Sequence, residues 1–63
     1  MNQDDRSKLE EVLGVLEEIA DSLEERSGNM PESLQEKADS LQEEADQIRE
    51  AIDSINSAME GGF

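Results

Sequence analysis

The sequence predicts an all-α fold: an antiparallel helical hairpin that pairs with a second copy into a four-helix bundle. Three observations carry this expectation. Ser33-Leu-Gln-Glu-Lys-Ala-Asp39 and Ser40-Leu-Gln-Glu-Glu-Ala-Asp46 are consecutive heptads that differ at one position, and such an echo belongs to a helix that holds one stripe against a partner. A single cluster of breakers, Ser27-Gly-Asn-Met-Pro31, interrupts the helical pattern. The chain has 63 residues of which 33% are hydrophobic, so it encloses only a thin core and needs a staple, a metal or a partner subunit.

Helix 1 is expected from about Asp4 to Arg26. Leu9, Leu13, Leu16, Ala20 and Leu23 follow one another at spacings of 4 and 3, which places them on one face. Val12, Val15 and Ile19 form a second stripe beside the first. The combined face is wider than a two-stranded seam requires, so helix 1 is expected to touch a neighbour from another chain as well as its hairpin mate. Gly14 stands inside this helix at a cost of about 1 kcal/mol relative to Ala; either a close contact excuses it or it lies on the outer face.

The turn is expected over residues 27–31. Gly28 is suited to a left-handed residue closing helix 1, and Pro31 to the first turn of helix 2. Asn29 with Glu32, or Ser33 with Glu36, has capping-box spacing. So short a connection makes the helices antiparallel neighbours.

Helix 2 is expected from about Pro31 to Met59, because Leu34, Ala38, Leu41, Ala45, Ile48, Ile52, Ile55 and Met59 keep strict 4,3 spacing. Small Ala alternating with larger Leu or Ile lets helix backbones approach closely over the repeated heptads. Met30 and Met59 fall in register as ends of the core. Residues 60–63 are expected to fray, with Phe63, the only aromatic residue, at the disordered end or serving as a free anchor. All residues then form one domain, 1–63. A lone hairpin would leave Val12, Val15 and Ile19 wet, forgoing roughly 1.5 to 3 kcal/mol for each. Dimerisation covers them, and Val12, Val15, Leu16, Ile19, Leu41, Ile48, Ile52 and Ile55 are the expected interface between copies.

Composition restricts the chemistry. Without Cys the chain has no disulfide framework and no thiolate metal site, and without His it lacks the commonest transition-metal ligand. With no His, Cys or Tyr and no phosphate-binding glycine loop, no catalysis and no cofactor are expected. The serines fit polar faces and caps. Glu17, Glu18, Asp21, Glu24 and Glu25 line adjacent turns but lack the bent spacing of a calcium loop, so they are expected to be a solvated acidic face with no metal.

The chain carries 18 acidic and 5 basic residues, a net charge of −13, shared between both halves. That charge disfavours nucleic acid and anionic membranes and favours a basic protein partner. No apolar run approaches the ~20 residues of a membrane span and Met1-Asn-Gln-Asp-Asp5 has no signal-peptide layout, so a cytoplasmic location is expected. The expected partner-binding residues are Glu17, Glu18, Asp21, Glu24 and Glu25 on helix 1 with Glu36, Asp39, Glu43, Glu44 and Asp46 on helix 2. Like-charged i,i+4 pairs such as Asp39 with Glu43 cost a few tenths of a kcal/mol each, where a helix shaped for stability alone would interleave lysines. The carboxylates therefore read as a general protein-binding surface, as an imitation of the phosphate rows of a duplex, or as adaptation to salt. Arg49 is expected to pair within its helix with Asp46 and Asp53.

Two resemblances follow from these residues. Asn29-Met-Pro-Glu-Ser-Leu-Gln35, followed by an acidic helix ending Glu50-Ala-Ile-Asp-Ser-Ile55, resembles short acidic phage and prophage proteins in which an acidic helix precedes an Asn-(Leu/Met)-Pro-Glu-x-Leu-Gln turn. The likeness spans about residues 17 to 59 and implies a viral origin, where small acidic proteins often inhibit host enzymes. Ser40, Leu41, Ala45 and Asp46 are similar to the second helix of Rop-type plasmid copy-number regulators, dimeric RNA-binding hairpins of this size. That similarity implies a bundle. RNA binding does not carry over, because those proteins use basic, polar and aromatic residues on helix 1, which is acidic here. The combined expectation is a homodimeric module of host-cell cytoplasm that inhibits or adapts a host protein, with a duplex-mimicking inhibitor or a self-associating structural coiled coil as the alternatives.

Overall fold

A computed structural model describes residues 1–61. The chain forms two antiparallel helices, α1 (Gln3–Gly28) and α2 (Gln35–Gly61), and a short 3-10 turn, Glu32–Leu34, leads into α2. The all-α helical hairpin expected from the periodicity is the observed fold.

Helix α1 starts where a side chain can satisfy its free N–H groups. Asn2, in extended conformation, accepts a hydrogen bond from the Asp5 N–H through its Oδ1 at 2.8 Å, while Asp4 and Asp5 in the first turn and Arg26 in the last oppose the helix dipole. At the other end the expectation of a left-handed Gly28 is corrected: no described residue has positive φ, and Gly28 is the last helical residue. Asn29 closes the helix instead at φ −96°, ψ 0°, its N–H shared between the Glu25 and Arg26 carbonyls at 3.1 and 3.3 Å. A bifurcated N–H needs no left-handed residue.

Neither expected capping box starts α2. Pro31 precedes the 3-10 turn with no side-chain cap, its carbonyl accepting from the Leu34 N–H at 2.9 Å, and Ser33 lies inside that turn. The far end, expected to fray from residue 60, is helical through Gly61. The expectations for Gly62 and Phe63 lie outside the described residues.

Register is fixed at the turn by Ser27, whose Oγ–H donates to the Ala38 carbonyl at 2.7 Å. Seven residues back along α1 and seven forward along α2, Ala20 comes level with Ala45; another seven bring Leu13 level with Ile52, and these two share a core cluster with Met59. The buried residues of α2 are Ala38, Ala45, Ile52 and Met59, each one heptad from the last. Ala20 and Ala45 are the two described residues with no exposed surface. Their single methyls allow the axes to approach closely there, as the alternation of small and large residues suggests. Ile52, expected between copies, is 7% exposed and belongs to the hairpin core. It is corrected to that role because its phase coincides with Ala45. Leu16, Leu41, Ile48 and Ile55 are half-buried at the edge of the seam.

The result is a flat slab whose Cα atoms extend over 49 × 16 × 9 Å. Val12, Val15 and Ile19 remain 46, 55 and 42% exposed on it.

Two substitutions test this packing. Ala45→Leu forces extra volume into the closest contact and should lower stability by about 1–3 kcal/mol in chemical denaturation. Gly14, ordinary in φ, has open space where a Cβ would stand, which resolves its role as an outer-face residue; Gly14→Ala should raise stability by about 0.5–1 kcal/mol, read as a higher melting temperature.

Candidate functional site

With 3.6 residues per turn and the register above, each residue falls on one of two broad faces or two narrow edges. The polar face is identified by contacts that cross between the helices. Arg49 of α2 donates from Nε to Glu24 Oε1 at 3.1 Å and from Nη2 to Asp21 Oδ1 at 2.7 Å, and Nη2 also meets Glu24. Gln42, one heptad earlier, donates to Glu24 Oε2 at 3.4 Å and to Asp46 Oδ1 at 3.1 Å. The expectation that Arg49 pairs with Asp46 and Asp53 in its own helix is thereby corrected. Arg49 stands next to the seam, so its long side chain reaches two carboxylates across it, and a bidentate fork favours that arrangement.

The Arg49 guanidinium, followed by the Gln42 amide, holds the Glu24 carboxyl below the usual carboxylate range, and Glu24 followed by Asp21 raises Arg49 further. Asp21 and Glu24, expected to face a partner, are thus engaged within the hairpin. Their side chains remain 72 and 36% exposed, so the pairs are screened and orient the helices more than they stabilise them.

Asp39 accepts from Gln35 Nε2 at 2.9 Å, one turn away, as Asp46 does from Gln42. Glu17, Glu18, Glu25, Glu36 and Glu43 are exposed, and the carboxylate of each lacks a hydrogen bond or ion pair among the described residues. The carboxylates of α2 at positions 36, 39, 43, 46, 50, 53 and 60 recur every third or fourth residue, apart from a step of seven at Ser57. Along most of its length this stripe carries a charge about every 5 Å of axis. On α1, Asp4, Glu11, Glu18 and Glu25 are one heptad apart along the outer edge. Glu44 does not join the stripe: its phase puts it on the opposite, apolar face, separate from the acidic residues it was grouped with.

No group of three His, Cys, Asp or Glu that could hold a metal is assembled among the described residues, and no pocket is present among them. Among the described residues no helix is long and apolar enough to cross a membrane. The arrangement offers an elongated array of carboxylates that can attract and orient a cationic surface. No protein-family model, curated protein or solved structure matches the chain.

The Glu24 contact has a testable pH signature. Its folded-state pKa is lowered, so the stability it contributes is fully present above the unfolded carboxylate value and is lost as pH falls through the folded value. The stability difference between the wild type and Glu24→Gln should therefore be greatest near neutrality and fade at and below the ordinary carboxylate range. Paired denaturation curves across pH check it.

Proposed function

We propose that this chain is a non-enzymatic protein-binding module of phage origin, acting as a homodimer in the host cytoplasm. Its acidic side engages a basic surface on a host protein and inhibits or redirects that protein. The observation that carries this reading is the set of exposed, unpartnered carboxylates at Glu17, Glu18, Glu25, Glu36 and Glu43. Interleaved lysines would relieve such an array within the chain, whereas a cationic partner relieves it on binding. Long-range attraction raises the rate of encounter and makes the complex sensitive to salt.

The experiment is an affinity capture from bacterial lysate with the wild type and with a variant carrying Glu17→Gln, Glu18→Gln, Glu36→Gln and Glu43→Gln. Circular dichroism should show equal helicity. The wild type should retain a basic protein that salt elutes and the variant should lose it; identical retention by both would remove the carboxylates from the binding account.

The stripe on α2 favours a second reading, a mimic of duplex DNA that occupies the cleft of a nucleic-acid enzyme. In that case excess duplex should displace the captured protein. Continued retention at saturating duplex rules mimicry out.

A further inference from the structure

The broad face opposite Arg49 differs from the rest of the molecule. Val12 and Ile19 of α1 lie on it, with Val15 at its outer margin, alongside the half-buried Leu41, Ile48 and Ile55 of α2. Near its centre line the helical phase places only Asp5 and Glu44 from the 18 acidic residues, yet two of the 5 basic ones, Arg26 and Lys37, with a third, Lys8, at its outer margin. Lys8 meets Asp4 at 3.2 Å. Arg26 and Lys37, at the turn end, have no carboxylate within ion-pair distance among the described residues. In so acidic a chain, a face with an apolar centre and unpaired cations at one end is shaped for contact.

We propose that this face joins two copies of the chain about a two-fold axis perpendicular to the helices. The hairpins lie antiparallel, with α1 against α1 and α2 against α2, and Arg26 of each copy meets Asp5 of the other. This deepens the dimeric part of the proposed function and is independent of what the acidic side binds.

Area argues for a second copy as the occupant. The chain exposes 4577 Å², against about 4,000 Å² for a compact folded monomer of its 7.0 kDa mass. The face spans 49 × 16 Å between Cα atoms, which matches the roughly 800 Å² per partner of a standard stable interface. Its apolar stripes are also central: Val15 lies at the middle of α1 and Ile48 at the middle of α2, at nearly the same level of the hairpin. A single axis there brings each stripe onto its own counterpart, as an isologous contact requires.

Charge selects the antiparallel arrangement. The axis that superposes Val15 on its counterpart carries Arg26 to the level of Asp5 in the other copy, and carries Lys37 to the open end, away from the other copy's Lys37. A parallel arrangement would set the Arg26 and Lys37 pairs of both copies against each other at one end. Keeping carboxylates off the contact is also what allows two chains of net charge −13 to meet.

Sedimentation of the full chain across the micromolar range tests the proposal. The wild type should sediment at twice its chain mass, and its melting temperature should rise with concentration. Val15→Glu, at a position already half-exposed in the hairpin, should raise the dimer dissociation constant on the order of 100-fold, because the two-fold counts each loss twice. Arg26→Glu should raise it about tenfold, and Arg26→Glu combined with Asp5→Arg should restore it. Glu17→Lys, on the polar face, should leave dimerisation no weaker.

A wild type that stays monomeric throughout overturns both this inference and the dimeric reading. A dimer unaffected by Val15→Glu overturns the choice of face and leaves a dimer to be placed elsewhere. If Val15→Glu loses its helical signal, the charge exchange decides: rescue supports the arrangement, and absence of rescue overturns it. Failure to capture a host protein changes none of these readouts.

Discussion

The close approach of α1 and α2 at Ala20 and Ala45 governs the rest of the molecule. Two methyls fill the fully buried centre of the seam, so the helices meet along a narrow line and larger residues are displaced to its edges. Leu13, Ile52 and Met59 close the core toward the open end, and the Ser27 hydroxyl ties the turn end to the Ala38 carbonyl. A seam this thin buries little apolar area, and small domains have little stability to spare. The uncovered Val12, Val15 and Ile19 follow from the same geometry. Larger residues at 20 and 45 would push the helices apart and change which side chains reach across the seam.

Each flank of that seam has its own character. On one side Arg49 and Gln42 reach across to Glu24 and Asp21, neutralising part of a dense acidic array at the point where it would push the helices apart. On the other side the carboxylates give way to branched apolar residues with cations toward the ends. Because like charges repel through solvent over about a Debye length, a chain of this charge can associate with itself only through a region from which acidic groups have been cleared. On the proposed reading, one face joins copies and the remaining surface meets a cationic partner.

Much of this architecture was legible in the residues. The 4,3 spacing gives the two helices, the Gly28-to-Pro31 cluster gives the connection, and Ala38 and Ala45 mark the close contact. What periodicity left open was register, which depends on contacts between residues far apart in sequence. Without the Ser27–Ala38 bond, Arg49 could only be paired with neighbours in its own helix, and Ile52 could not be separated from Ile48 and Ile55. The turn departs from expectation for a local reason: Gly28 is permissive, and Asn29 closes the helix by sharing its N–H at φ −96°, ψ 0°, without a left-handed residue. The unequal distribution of acidic residues between the two faces was present in the sequence, but it becomes visible only when both helices are placed in phase.

The two-faced dimer is tested most directly by single-cysteine cross-linking, since the chain has no cysteine of its own. Val15→Cys, near the proposed axis, should form an inter-chain disulfide quickly under mild oxidation, while Glu17→Cys, on the polar face, should remain a thiol. Equal cross-linking at both positions, or faster reaction at position 17, would contradict the assignment of the carboxylate-poor face as the contact between copies.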